Sequence, residues 1–264
     1  MLEDDFSYVA RKALKGLALS PGEAARIAGL SGHSVIAFTR GTFSAEVAVA
    51  LAPVLGLSPA ALASHPSYEP KPLAGTTVRR LELPFGGESV NAWLVRDDDH
   101  ALLFDAGFAG DACARALDSL GVPEIDVLMI THGHGDHIGG LSAVRPRCKS
   151  IRGPAAQINY HLDPVKPGEH IRVGALTVTA IDLDGHCPGA LGYVIRGLIQ
   201  PVCVTGDALF AGSIGGCDGP ANYQTALRLI REGVLSLPPR TMLLPGHGPA
   251  TRVADELARN PFFA

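Results

Sequence analysis

Apolar positions along the chain fall into two regimes. Through the first 65 residues they recur at helical spacing in short runs, each opened by a capping residue. Ser20-Pro21-Gly22-Glu23 reads as a capping box with proline in the first turn, starting a helix over 23–28 that Gly29 stops. A second short helix over 31–39 ends at Gly41. Ser44 and Ser58-Pro59 read as further N-caps, opening helices over 45–55 and 60–64. With a preceding helix over 6–17, the pattern predicts five small helices. The proline-marked stretch 66–76 is the expected linker.

From Val78 the period shortens to two. VRRLELP (78–84), VNAWLVR (90–96) and ALLFD (101–105) predict consecutive strands, with Asp97-Asp98-Asp99 as a turn. A helix over 112–120 follows. VLMI (127–130) is wholly apolar, the pattern of a strand buried on both faces. Further strands are expected over 176–181, 191–195, 202–204 and 242–244, and helices over 221–235 and 253–258. The reading is a small all-α domain over 1–65, the linker, and an α/β domain over 77–264.

Composition narrows the class. A chain of 264 residues with 47% hydrophobic residues, 31 glycines and 20 prolines suits a compact, loop-rich enzyme. A net charge of -4 points to no polyanionic partner. No apolar run approaches the roughly 20 residues needed to span a bilayer. The opening MLEDDFSYVARK lacks the basic start and apolar run of a signal peptide. A cytoplasmic protein with no membrane partner is expected. Cys113, Cys148, Cys187, Cys203 and Cys217 are scattered and odd in number, which argues against a disulfide framework.

The chemistry is concentrated in THGHGDHIGG (131–140), directly after the buried strand. His132 and His134 can share one side of an extended segment, and Asp136 and His137 enter the next turn. Three imidazoles and a carboxylate within six residues repel one another or stay poorly solvated without a cation. A divalent metal binding neutral nitrogen and ionised oxygen resolves the conflict. His186, Asp207 and His247 each follow a predicted strand, where an edge-facing ligand would lie.

These segments together resemble the metallo-β-lactamase superfamily. The residues that carry the likeness are H-x-H-x-D-H at 132–137, Gly185-His186-Cys187-Pro188-Gly189, Gly206-Asp207-Ala208-Leu209-Phe210 and Pro245-Gly246-His247-Gly248-Pro249. Val90 to Val95 and Phe104-Asp105-Ala106-Gly107 match the family's early strands. The nearest flavour is glyoxalase II, a hydroxyacylglutathione hydrolase. The resemblance implies an αββα sandwich over about 78–264. It implies that His132, His134 and His186 bind one metal and that Asp136, His137 and His247 bind a second. Asp207 would bridge both, Asp136 would also orient the nucleophile, and Asp105 would orient a ligand loop. No cysteine occupies a ligand position. Zinc fits this nitrogen and oxygen set best, and iron or manganese is also accepted. His33, His65, His100, His161 and His170 lie outside the motifs and read as ordinary surface or core residues.

Two cations sharing a water generate a bridging hydroxide that attacks an acyl carbon. A thiolate, with a free pKa near ~8.5, leaves without a strong general acid. The resemblance therefore implies a small-molecule thioester substrate. Four departures bear on the substrate. Only seventeen residues follow His247, where glyoxalase II proper carries a cationic helical extension. Cys187 replaces the usual threonine and Asp184 the usual proline, and Gly216-Cys217-Asp218 stands where Arg-Thr-Asp is common. Cys187 and Cys217 read as small fillers, with functional thiols as the other reading. The competing enzyme class is a mononuclear-iron persulfide dioxygenase.

Residues 19–63 resemble a repressor-type helix-turn-helix domain, with 31–41 as its recognition helix. Residues 1–65 hold five Lys plus Arg and five Asp plus Glu, so no net basic face exists to neutralise phosphates. A packing, dimerising or substrate-covering module is expected in preference to nucleic-acid binding. A metabolite-sensing DNA-binding regulator is the different-class alternative, and a homo-oligomer is left open.

Overall fold

A computed structural model of the chain describes residues 1–72, 77–97, 99–108, 110–155 and 162–264. Residues 73–76 of the linker, Asp98 and His161 lie outside the described residues. The first region holds α1 (Phe6–Gly16), α2 (Pro21–Ala28), α3 (Gly32–Thr39), α4 (Ala45–Leu51) and α5 (Pro59–Ser64). The predicted caps form. Ser20 and Glu23 make the reciprocal capping box, and the Ser44 and Ser58 hydroxyls accept from the amides of Val47 and Ala61. The helix expected over 45–55 tightens to a 3₁₀ turn at Ala52–Leu55, where Pro53 has no amide to give the α ladder.

The second region contains β1 (Val78–Phe85), β2 (Glu88–Arg96), β3 (Ala101–Phe104), α6 (Ala112–Ser119), β4 (Ile125–Met129), α7 (Gly135–Ile138), α8 (Leu141–Val144), β5 (Cys148–Pro154) and β6 (Asp163–Val165). These strands form one sheet in the order β1-β2-β3-β4-β5-β6, antiparallel through β3 and parallel beyond it. The chain continues through β7 (His170–Val173), β8 (Leu176–Asp182), β9 (Leu191–Arg196), β10 (Val202–Gly206), β11 (Leu209–Phe210), β12 (Ser213–Ile214), α9 (Gly219–Leu229), β13 (Met242–Pro245), β14 (Thr251–Arg252) and α10 (Val253–Arg259). The second sheet runs β14-β13-β10-β9-β8-β7. The helix expected over 221–235 opens into a π turn at Ile230–Val234.

Period two explains the layering. On β2, Trp93 and Val95 face inward with Phe104 and Met129, against Val178, Tyr193, Val204 and Leu244 of the second sheet. Ala92 and Leu94 face the opposite way and pack with Leu117 of α6 and Leu141 of α8. The outer face of the second sheet, including Val194, Cys203 and Leu243, is covered by Tyr223 and Ala226 of α9 and by the first five helices. The architecture is thus an αββα sandwich preceded by a helical region. Among the described residues no helix is long and apolar enough to cross a membrane.

Candidate metal centre

The strand ends of both sheets deliver their loops to one edge. After β4, Thr131 is pinned to Asp105 twice, its amide to Oδ1 and its hydroxyl to Oδ2, each at 2.8 Å. His132 and His134 follow, with His132 Nε2 and His134 Nδ1 3.0 Å apart. His186, from the loop after β8, brings Nε2 to 3.2 Å from the same His134 nitrogen. Asp207, just after β10, places Oδ2 3.9 Å from His132 Nε2 and 3.6 Å from His186 Nε2.

A second set meets on the other side of Asp207. His137 Nε2 lies 3.3 Å from Asp207 Oδ1 and 3.8 Å from Asp136 Oδ2. His247 Nε2 lies 3.1 Å from Asp136 Oδ2 and 3.5 Å from Asp207 Oδ2. In each set of four, the donor atoms fall within 4.8 Å of one another, and Asp207 belongs to both. The seven residues that the sequence singled out come together around two foci. Gly246 is needed here for approach, since a Cβ there would overlap Asp207 Oδ1 and His137.

The outward nitrogens fix which atoms face the centre. His137 Nδ1–H donates to Asp105 Oδ2 at 2.8 Å, His186 Nδ1–H to the Gly216 carbonyl at 2.7 Å and His247 Nδ1–H to the Ser89 carbonyl at 3.0 Å. His132 Nδ1–H faces the Thr131 hydroxyl oxygen at 3.0 Å, which itself donates to Asp105. A carboxylate or carbonyl can only accept, so each ring carries its proton on Nδ1 and turns Nε2 inward. His134 differs, presenting Nδ1 to the cluster.

The centre is electrostatically unsatisfied as a set of protein groups. Burial drives the His132 imidazole well below its ordinary range, helped by neighbouring His137. Burial also lowers His186, partly offset by Asp207. At His137, burial is outweighed by Asp207 and Asp105, which hold it well above its ordinary range. Burial likewise opposes the charge on Asp207, but His137 and His247 hold its carboxyl well below the carboxylate range. His137 Nε2 and Asp207 Oδ1 are both buried without a hydrogen-bond partner. Such orphans are rare where nothing else binds them. Imidazole nitrogen and carboxylate oxygen around two foci fit divalent cations.

Sequence reasoning assigned no role to several supporting groups. Asn91 Nδ2 donates to the carbonyls of Pro245 and Gly248 at 2.9 Å each, and Trp93 Nε1 donates to Pro245 at 2.8 Å. Together they clamp the turn that carries His247. Phe85 and Phe210 flank the His247 ring at 6.1 and 5.9 Å, and Phe85 meets exposed Phe108 at 5.0 Å. Of the remaining histidines, His33 is exposed, His65 is buried against the Gly212 carbonyl, and His100 and His170 pair with Asp126 and Thr179. None of these four joins either cluster. Cys187 and Cys217 are buried, and burial pushes both thiols up, Cys217 to about 11.

Known proteins resemble most of the chain. The family model of the Metallo-beta-lactamase superfamily matches residues 85–247. "Probable metallo-hydrolase YqgX" of Bacillus subtilis is 30% identical over 204 residues, covering 68% of this chain and 95% of its own. "Hydroxyacylglutathione hydrolase GloC" of Haemophilus influenzae is 27% identical over 205 residues, covering 68% of this chain and 95% of its own. Among solved structures, BLEG-1 B3 metallo-beta-lactamase superposes with a TM-score of 0.61 at 27% identity, over 70% of this chain and 98% of that one. TTHA1623 in a di-iron-bound form gives a TM-score of 0.54 at 26% identity, over 69% and 98%.

Proposed function

The chain belongs to the metallo-β-lactamase superfamily, and from that premise we propose that it is a two-metal hydrolase acting on acyl thioesters. The observation that carries the reading is the pair of four-residue clusters sharing Asp207, with buried His137 Nε2 and Asp207 Oδ1 lying 3.3 Å apart and making no hydrogen bond. His132, His134 and His186 would hold one cation and Asp136, His137 and His247 the other, with Asp207 between them. Two divalent cations there supply a water nucleophile at neutral pH and polarise an acyl oxygen. A similar protein solved in a di-iron-bound form supports a two-metal count and keeps iron beside zinc as the occupant.

The chain's own groups do the rest. His134 is exposed and Asp136 only part-buried, so the centre opens on their side and the acyl carbon enters there. Asp136 Oδ2, 3.1 Å from His247 Nε2, is placed to orient a water for attack. Phe85 and Phe108 offer an apolar wall beside the second cluster for the acyl substituent. A thiolate leaves without a strong general acid, so this nucleophile suits a thioester better than an amide. The likeness to GloC, named a hydroxyacylglutathione hydrolase, supports the thioester class.

The test supplies S-lactoylglutathione and glutathione persulfide separately to the metal-loaded protein, following free thiol and oxygen uptake. Thiol release from the thioester without oxygen consumption is expected. Oxygen uptake with the persulfide, and no thiol from any thioester tried, would replace the hydrolase with an iron dioxygenase.

A further inference from the structure

The matched superfamily segment begins at residue 85, yet a residue far upstream reaches the centre. Glu3 brings Oε1 to 3.9 Å from His247 Nδ1, the nitrogen whose proton goes to the Ser89 carbonyl. Its backbone is seated on the ligand turn. A Cβ placed on Gly248 would lie 3.0 Å from both Glu3 N and Glu3 Cβ, and Gly248 holds φ at +69°. A glycine there lets residues 1–5, a strap ahead of α1, lie flat against the turn that carries His247.

The strap is held in place at the next two residues. Asp4 is 5% exposed, ion-paired to Lys12 and accepting from the Ser213 hydroxyl at 2.5 Å. Lys12 also donates to the Ile214 carbonyl at 2.8 Å, so α1, the strap and the β11–β12 hairpin are tied through one buried carboxylate. Asp5 caps α1, accepting from the amides of Ser7 and Tyr8 at 2.8 and 3.0 Å. Glu3 is therefore fixed between an anchored residue and the ligand turn, and it is not a loose end that happens to pass.

We propose that Glu3 is a positioning residue for His247, a part of the second metal half-site contributed from outside the superfamily segment. The inference rests on the two-metal reading above. A carboxylate near the outer nitrogen of a ligating imidazole acts through its charge, favouring the proton on that nitrogen and raising the basicity of the inner one. Ser89 supplies the direct hydrogen bond, and Glu3 adds the negative charge that a carbonyl lacks. Loss of Glu3 should therefore loosen the cation held by Asp136, His137 and His247 while leaving the one held by His132, His134 and His186.

The experiment loads the full chain with zinc, adds a chromogenic chelator and follows the two release phases in wild type, Glu3→Gln and Glu3→Ala. Wild type is expected to release two zinc ions in two phases. In both variants one phase should quicken by about tenfold or more, the other should be unchanged, and the melting temperature of the metal-free protein should stay near that of wild type. Cobalt(II) loading adds a spectroscopic check, because the absorption of one of two cobalt ions should shift in Glu3→Gln. Unchanged release of both ions from both Glu3 variants would overturn the role of Glu3 and leave the two-metal reading standing. A wild-type protein that never holds two ions would remove both.

Discussion

Asp105 and His137 form the buried pair on which the metal edge is built, with Oδ2 accepting from Nδ1–H at 2.8 Å and neither side chain more than 3% exposed. The same carboxylate takes the amide and hydroxyl of Thr131, so one residue orients both His132 and His137. Asp105 sits at φ +60°, a left-handed conformation that Asp and Asn adopt more readily than other non-glycine residues. Asp105→Asn keeps that backbone but puts an amide where two acceptors are needed. Metal affinity should fall by about 10–100-fold with the fold retained. Competition with a chelator measures it, and wild-type affinity in this variant would mean Asp105 does not steer the ligands.

Asp207 and His247 should separate by metal count. Asp207 belongs to both clusters, whereas His247 belongs to one. Asp207→Ala should lower total bound metal and hydrolysis together, and His247→Ala should retain close to one ion. Elemental analysis of both variants decides it, with full retention in each showing that neither residue is a ligand.

How much of this was legible in the sequence depends on range. The caps at Ser20, Ser44 and Ser58, the buried run at 127–130 and the motif residues are local signals, and the structure places them as local chemistry dictates. Strand Cys148–Pro154 gave no signal, because Lys149 and Arg152 interrupt its apolar alternation and only Ile151 offers a large aliphatic side chain. Asn91 and Trp93 read merely as strand residues, since their partners at Pro245 and Gly248 are more than 150 positions away. Glu3 looked like one acid among three, and only the packing of the strap against Gly248 distinguishes it.

Loading the centre should release protons. Without metal, burial depresses the His247 imidazole, but its bonds to Asp136 and Asp207 outweigh this and push it up to about 10. His137 is also held well above its ordinary range. Both rings therefore carry a second proton near neutrality, on the nitrogen a cation would take. Zinc added at pH 7.5 in weak buffer should release about two protons per chain from these rings, with a further one where bound water ionises, and apparent affinity should fall as pH falls. The raised His247 value stabilises the metal-free fold fully below the ordinary 6.5, an advantage lost as pH rises through about 10. Zinc binding without acidification would contradict this.

The first five helices share a single apolar core with α9 rather than owning a separate one. Gly16 ends α1 directly against the Tyr223 ring of α9, and a Cβ there would overlap the ring atoms. Tyr223 is 3% exposed and packs on Phe262, so it has little room to yield. Gly16→Ala should therefore cost about 1–3 kcal/mol through overpacking, lowering the melting temperature by roughly 2–4 °C per kcal/mol for a chain of this size. Tyr223→Leu, which empties the contact, should make the same alanine much cheaper, so the double-mutant cycle should show a clear coupling. Because the core is common to both regions, calorimetry should show one transition moving as a whole. Two resolved transitions, with only the smaller one shifted by Gly16→Ala, would mean that the helical region folds apart from the sandwich and that its contact with α9 is incidental to stability.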